Sequence, residues 1–467
     1  MTALNTSNVI SSTSQYDLPF FDAAHADLAR GLADWAPLQH VDESDDRRAC
    51  KEWVQRLGQG GWLRYCVPAA QGGALPQLDS RALVILRETL AFHSPLADFA
   101  FAMQGLGSGA ITLAGTPAQQ AKYLPAVARG DKIAAFALSE PDAGSDVAAM
   151  QTRAVKVTVK GVVRDATNKI APQAINTPAN VENKVEKGQF EDKNDSYGEF
   201  YALIGVKTWI SNGGLADFYV TFAKTDPAGG TRGISAFIVD AHSPGLDTSE
   251  HIQVMAPHPL ATLRFNDCHV PASALLGEEG EGFKLAMRTL DIFRSSVAAA
   301  ALGMARRAMV EALHFAKNRR MFGGTLANMQ LTQAKFGDMA ALIDSAALLT
   351  YRAAWMRDND LKQGTATKES AAESSRAYSR ASAMAKLVAT ENAQKVIDMA
   401  LQMHGGQGVQ VGSMVEHLYR DIRSLRIYEG ATEVQQLIIG KSVLKDFVIP
   451  AKAGIHGGVY GFPPSRE

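Results

Sequence analysis

The residues with the most direct chemical potential lie near the end of the chain, in the run Ile427-Tyr428-Glu429-Gly430-Ala431-Thr432-Glu433-Val434-Gln435. A carboxylate followed at once by glycine reads as a turn, and Thr432 is placed to cap an apolar helix beginning at Val434. Glu429 then sits on a loop just before that helix. Between Tyr428 and Gly430, with apolar Ile427 beside it, its carboxylate is expected to be partly desolvated, which raises a pKa toward that of a working general base. On these residues alone the plainer alternative, a surface glutamate near a helix start, stays open.

Two other clusters could receive a flat, hydrogen-bond-rich ligand. Residues 137–146 follow a strand and offer small side chains, the hydroxyls of Ser139 and Ser145, and several backbone amides in a tight loop. Residues 207–213 place Trp209 and Ser211 two positions apart on a strand, so that an aromatic plane and a hydroxyl face the same way. Singly, each is equally a tight loop or a core tryptophan.

The surrounding chain bounds what these groups can do. With 467 residues and a formal net charge of -1, it has room for several structural units and no overall attraction to nucleic acid or anionic membrane. An anionic ligand must be held by local groups. Cys50, Cys66 and Cys268 are widely spaced without a CxxC pair, which points to three buried thiols and to neither a disulfide framework nor a metal site. No apolar run is long enough to span a bilayer, and no signal-type apolar core precedes Arg30, so the expected compartment is the cytoplasm.

The elements that must position the three clusters follow from periodicity. Residues 1–20, rich in Ser, Thr and Asn, read as a flexible lead. Residues 21–132 carry helical spacing, notably over 79–91 and 98–113. Over 133–272 the period becomes that of strands, at 133–138, 155–163, 200–206, 217–223, 233–239 and 260–265, with a polar insertion at 165–195. Long helices return over 273–448, including an alanine-rich stretch at 368–404, and 449–467 reads as a Gly/Pro-rich tail. The expected class is an α+β multidomain chain: an N-terminal helical domain, a middle antiparallel β-barrel or sandwich domain, and a C-terminal helical bundle.

Taken as a set, LSEPDAGSD and KTWISNGG resemble the flavin-binding loops of the acyl-CoA dehydrogenase family. The resemblance continues in order through Arg319-Arg320-Met321-Phe322-Gly323 with Gln330, then Gln402-Met403-His404-Gly405-Gly406-Gln407-Gly408, Arg420-Asp421 and the Glu429 run, covering roughly 21–444.

It implies FAD as cofactor. Phe136, Leu138, Ser139 and Ser145 would line the flavin or the neighbouring thioester, Trp209 would shield one face of the isoalloxazine, and Ile210 and Ser211 would lie beside it. Arg319, Phe322, Gln330, Gln402, Gly405, Gly406, Thr432 and Glu433 would serve the rest of FAD, several of them from a partner subunit in a homodimer or homotetramer. Ser145, Asp291, Arg294, Tyr428 and Gly430 would meet the acyl-CoA substrate; for Asp291 and Arg294 a surface ion pair is the alternative. Glu429 would take the α-proton while the β-hydride passes to the flavin, giving a trans-2-enoyl-CoA, with electrons leaving to an electron-transferring flavoprotein. Some branches carry the base just before the position of Arg294, but this chain has Phe293 there. Ala431 departs from the family's usual threonine, a hydroxyl that Thr432 could supply one position later. A same-fold flavin monooxygenase or oxidase and a non-catalytic CoA-ester-binding relative are the competing readings.

Overall fold

The computed structural model describes residues 12–160, 163–164, 170–171, 197–363 and 368–446. The predicted tail at 449–467 and most of the predicted insertion at 165–195 lie outside the described residues. So do residues 1–11 of the predicted lead. The other part of that lead belongs to the fold: Tyr16 is buried, its ring 5.2 Å from Phe21 and 6.0 Å from Tyr351. Two aromatic partners outweigh the polar composition of the residues around it.

Five helices come first: α1 (Ala23–Trp35), α2 (Asp46–Gln59), α3 (Ser80–His93), α4 (Pro95–Ala114) and α5 (Pro117–Arg129). Their starts are chemically marked. Asp45, Asp79, Ser94 and Thr116 each accept a hydrogen bond from a backbone amide of the first turn. Every residue of α3 from Ser80 to Phe92 is buried, so this helix is enclosed on all sides rather than amphipathic.

The strands are β1 (Ala134–Ala137), β2 (Arg153–Lys160), β3 (Val163–Arg164), β4 (Ile170–Ala171), β5 (Tyr197–Ser211), β6 (Phe218–Lys224), β7 (Ile234–Asp240), β8 (Leu246–Ile252), β9 (Leu260–Pro271) and β10 (Leu275–Leu276). One eight-stranded sheet runs in the order β10-β7-β6-β2-β5-β9-β8, with β1 added on β6, while β3 and β4 pair separately. β1 and β2 meet β6 in parallel and the other ladders are antiparallel, so the sheet is mixed where strand spacing alone predicted antiparallel pairing. β2 and β5 pair residue for residue from Arg153↔Ile204 to Lys160↔Tyr197, so the segment between them leaves this register intact. β8 was not predicted. It is a sheet-edge strand, largely solvated, and so lacks the apolar alternation that marks a strand in sequence.

Five helices close the fold: α6 (Gly282–Asn318), α7 (Gln330–Gln363), α8 (Lys368–His404), α9 (Met414–Leu425) and α10 (Thr432–Asp446). α6 packs against α3, and at the crossing a Cβ on Gly303 would come 2.1 Å from the carbonyl oxygen of Glu88, so only glycine permits this approach. Between α6 and α7 a ribbon of β11 (Arg320–Met321) and β12 (Gly324–Thr325) turns on Phe322 and Gly323, both at positive φ. Among the described residues no helix is long and apolar enough to cross a membrane, and no cluster suits a metal ion. The three cysteines are buried and unpaired.

Candidate active site

α9 ends at Leu425, and the amides of Ile427 and Tyr428 both donate to the carbonyl of Ser424. The chain then reverses through two left-handed residues, Glu429 at φ 52° and Gly430 at φ 91°, before α10 starts at Thr432. A side-chain-bearing residue at positive φ is strained and needs surroundings that hold it there. They are present: Lys386 Nζ donates to the Gly430 carbonyl at 2.7 Å, and Gln435 Nε2 donates to it at 2.9 Å. The predicted cap differs. Thr432 is itself the first helical residue, and its hydroxyl donates to Glu391 at 2.7 Å instead of capping α10.

The turn aims Glu429 inward. The residue as a whole is half-buried, yet both carboxylate oxygens are buried and have no hydrogen-bond partner. Burial pushes the carboxyl up to about 7; Arg87, Lys386 and Arg294 oppose the rise and Asp98 adds to it. A carboxyl near neutrality with no competing bond is suited to accept a proton from a weak carbon acid.

Of these ionic groups only Arg294 has a role assigned from sequence; Arg87, Asp98 and Lys386 have none. Arg87, 1% exposed, donates from Nε and Nη2 to the two oxygens of Asp98 at 2.8 and 2.9 Å, and from Nη1 to Ser296 Oγ at 3.1 Å. A lone cation inside the apolar helical run LVILRETLAF is the available signal, as is Lys386 inside AMAKLVA. The stretch between Arg87 and Lys122 contains no lysine or arginine, but that is no measure of the site's charge, since the cations arrive from α3, α6 and α8.

The two glycine-bearing loops are joined by a second buried pair. Lys207 Nζ, fully buried, donates to Glu140 Oε1 at 2.8 Å and to the Leu138 carbonyl at 2.9 Å, while the Thr208 amide donates to the Ser139 carbonyl at 3.0 Å. Glu140 also accepts from the amides of Gln151 and Thr152 at 2.6 and 3.1 Å. Burial brings the Lys207 ammonium down to about 8, with Glu140 pulling the other way.

A register shift between Lys207 and Ile210 interrupts β5, and Trp209 takes φ 59°. The regular alternation expected to align Trp209 with Ser211 is therefore broken. Trp209 is 58% exposed, Ile210 is buried, and Ser211 Oγ lies 3.1 Å from His258 Nε2. The His258 ring stands 3.9 Å from Phe99 and 5.9 Å from Tyr428, and burial pushes it down to about 3, so it is a neutral imidazole. No sequence motif singled it out. Phe136 packs on Phe222, Leu138 is buried, Ser139 is half-buried and Ser145 is exposed.

Asp291 and Arg294 do bond to each other, but not as a surface pair. Arg294 is buried, its Nε has no partner, and the Asp291 carbonyl accepts from the Tyr378 hydroxyl at 2.7 Å. Arg319, Phe322, Gln330, Gln402, Gly405, Gly406 and Glu433 are all exposed. Phe315 on His404, rings 4.4 Å apart, brings the end of α6 to the end of α8, so Arg319 and Gly405 extend from one junction.

These features fit FAD. An exposed tryptophan at a strained bulge offers an aromatic face to a flat ring, and among the described residues the Arg319 guanidinium has no bond, as a pyrophosphate-binding group requires.

A helical unit, a mixed sheet and a second helical unit around a desolvated carboxylate suit a flavin oxidoreductase, and comparison with known proteins says that it is one and of which family. Family models described as acyl-CoA dehydrogenase N-terminal, middle and C-terminal domains match residues 23–131, 179–268 and 280–444. A 3-(aryl)acrylate reductase of Clostridium sporogenes is 34% identical, covering 90% of this chain and 97% of its own. A subunit of the caffeyl-CoA reductase-Etf complex of Acetobacterium woodii is 34% identical over 87% and 93%. The human mitochondrial short-chain specific acyl-CoA dehydrogenase is 34% identical over 84% and 82%. Among solved structures, butyryl-CoA dehydrogenase from Megasphaera elsdenii superposes with a TM-score of 0.72 at 28% identity, over 91% and 99% of the two chains. An acyl-CoA dehydrogenase from Bacillus anthracis complexed with FAD gives 0.74 at 27% identity, over 93% and 69%. The chain belongs to the acyl-CoA dehydrogenase family of FAD-dependent oxidoreductases acting on CH–CH bonds.

Proposed function

We propose that this protein converts an acyl-CoA thioester to the trans-2-enoyl-CoA, with Glu429 as the base that takes the α-proton. The observation that carries the reading is the Glu429 carboxylate, buried, unpartnered and raised to about 7. Desolvation strengthens a carboxylate toward a weak acid such as the thioester α-C–H. Among the described residues the Glu429 amide makes no hydrogen bond, which leaves it free to donate to the thioester oxygen as negative charge develops there.

The stapled loops at Leu138–Glu140 and Lys207–Ser211 would hold the flavin ring, with Trp209 over one face and Ser211 beside it, and Arg319 would pair with the pyrophosphate. FAD, when bound, accepts the hydride that leaves the β-carbon. The Thr432 hydroxyl, already bonded to Glu391, does not stand free to replace the one absent at Ala431. Phe322 at 87% exposure, together with the exposed apolar side chains of Leu331, Val409 and Val411, supports subunit association, with part of the FAD site shared across the contact. An electron-transferring flavoprotein is the electron partner we assign, a reading supported by the Etf complex to which the Acetobacterium woodii relative belongs.

The relatives named as reductases favour a second reading of the same site, in which an enoyl-CoA is reduced and protonated Glu429 returns a proton to the α-carbon. A group near 7 is populated in both forms at neutrality, so one carboxyl serves either direction. The purified protein should be yellow, bleach anaerobically with a suitable acyl-CoA from a panel of chain types, and recolour with the matching enoyl-CoA. Glu429→Gln should bind acyl-CoA without bleaching. Undiminished bleaching would overturn the base, and protein that takes up no FAD would overturn the whole reading.

A further inference from the structure

We propose that the buried Arg87–Asp98 pair is a positioning device for the Glu429 turn, with Arg87 holding Tyr428 in place and the two opposite charges together setting the electrostatic surroundings of the base. The inference rests on Glu429 being that base.

The geometry is specific. Arg87 lies in the middle of α3, where an ionic group has no solvent to reach. Its guanidinium forks onto both oxygens of Asp98 on α4, donates to Ser296 on α6, and lies near enough to the hydroxyl of Tyr428, the residue before Glu429, to act on it electrostatically. Ser296 spends its own proton on the Phe293 carbonyl at 2.8 Å, so its oxygen is free to accept from Arg87. One side chain thus ties three helices together beside the strained turn. Stability by itself does not account for such a pair, because a buried ion pair is often replaceable by apolar residues at no loss.

The charged groups facing Glu429 are Arg87 from α3, Asp98 from α4, Arg294 from α6 and Lys386 from α8. Arg294 is neutralised by Asp291 within its own helix, and Lys386 is bonded to the Gly430 carbonyl. Arg87 exerts the largest of the charge effects on Glu429, and Asp98 works against it. The pair is therefore a dipole whose two ends act on the base with opposite sign.

That opposition gives a test that a merely structural role would not pass. In FAD-loaded enzyme, the ionisation of Glu429 is read from the acid limb of kcat/KM and, without turnover, from the infrared band of its protonated carboxyl, identified by its loss in Glu429→Gln. Asp98→Asn should move the midpoint to lower pH and Arg87→Gln to higher pH, each by about one pH unit, while the double variant should return toward wild type. If Arg87→Gln strands Asp98 and fails to fold, Asp98→Asn and the double variant decide. Midpoints that do not move, or move in the same direction, would overturn the proposal. If the limb and band survive in Glu429→Gln, the assignment of the base fails instead.

Discussion

Glu429→Gln should make the protein more stable at alkaline pH, and the gain should vanish in acid. The wild-type turn holds a carboxylate that has lost its water and gained no hydrogen bond. Its rise from 4.5 to about 7 measures that penalty, and at about 1.4 kcal/mol per pH unit it amounts to roughly 3 kcal/mol. The sign follows from proton binding. Between 4.5 and 7 the folded protein holds a proton that the unfolded chain has released, so this group favours folding most at low pH. That contribution is lost as pH rises through the folded value near 7. An amide of the same shape never ionises, and its own unmet hydrogen bonds reduce the gain at every pH alike. Thermal unfolding of both proteins at matched FAD concentration, at pH 8.5 and pH 5, reads the difference directly. The gap in Tm should favour the variant at the higher pH by several degrees and shrink at the lower. A gap of the same size at both pH values would show that Glu429 is not held desolvated. The measurement needs no substrate, so it tests the strained, buried base independently of turnover.

Lys207→Met should be severe, because it leaves the Glu140 carboxylate buried without its cation; a loss of about 3–5 kcal/mol and weakened FAD retention are expected, with Lys207→Met/Glu140→Gln recovering much of the stability. A single variant no less stable than wild type in thermal unfolding would refute the stapling role. Gly430→Ala should lower stability by about 2 kcal/mol, since φ 91° disfavours any side chain and the new Cβ would come 2.4 Å from Gln435 Nε2. Denaturant unfolding checks this, and an unchanged midpoint would mean that the turn relaxes freely.

Legibility from sequence differed by kind of feature. Helices with dense periodicity and marked starts were readable: the alanine-rich stretch at 368–404 is α8, and 79–91 falls within one residue of α3 at its start and two at its end. The polar edge strand β8 was not, because solvated strands carry no apolar alternation. Ordered motifs identified the flavin loops, yet the bulge that turns Trp209 outward depends on how β5 pairs with β9, which no local pattern encodes.

The sequence by itself determined the family, the order of helical and sheet units, and the acid in the turn, because motif chemistry and backbone periodicity are local properties. Only the tertiary structure decided what that acid is. Whether Glu429 is an ordinary surface carboxylate or a base near 7 depends on Arg87, Asp98, Arg294 and Lys386, which lie between 43 and 342 positions away along the chain and meet it through packing. Desolvation and Coulomb interaction act through space, so the proton affinity of the base belongs to the folded molecule and to no segment of it.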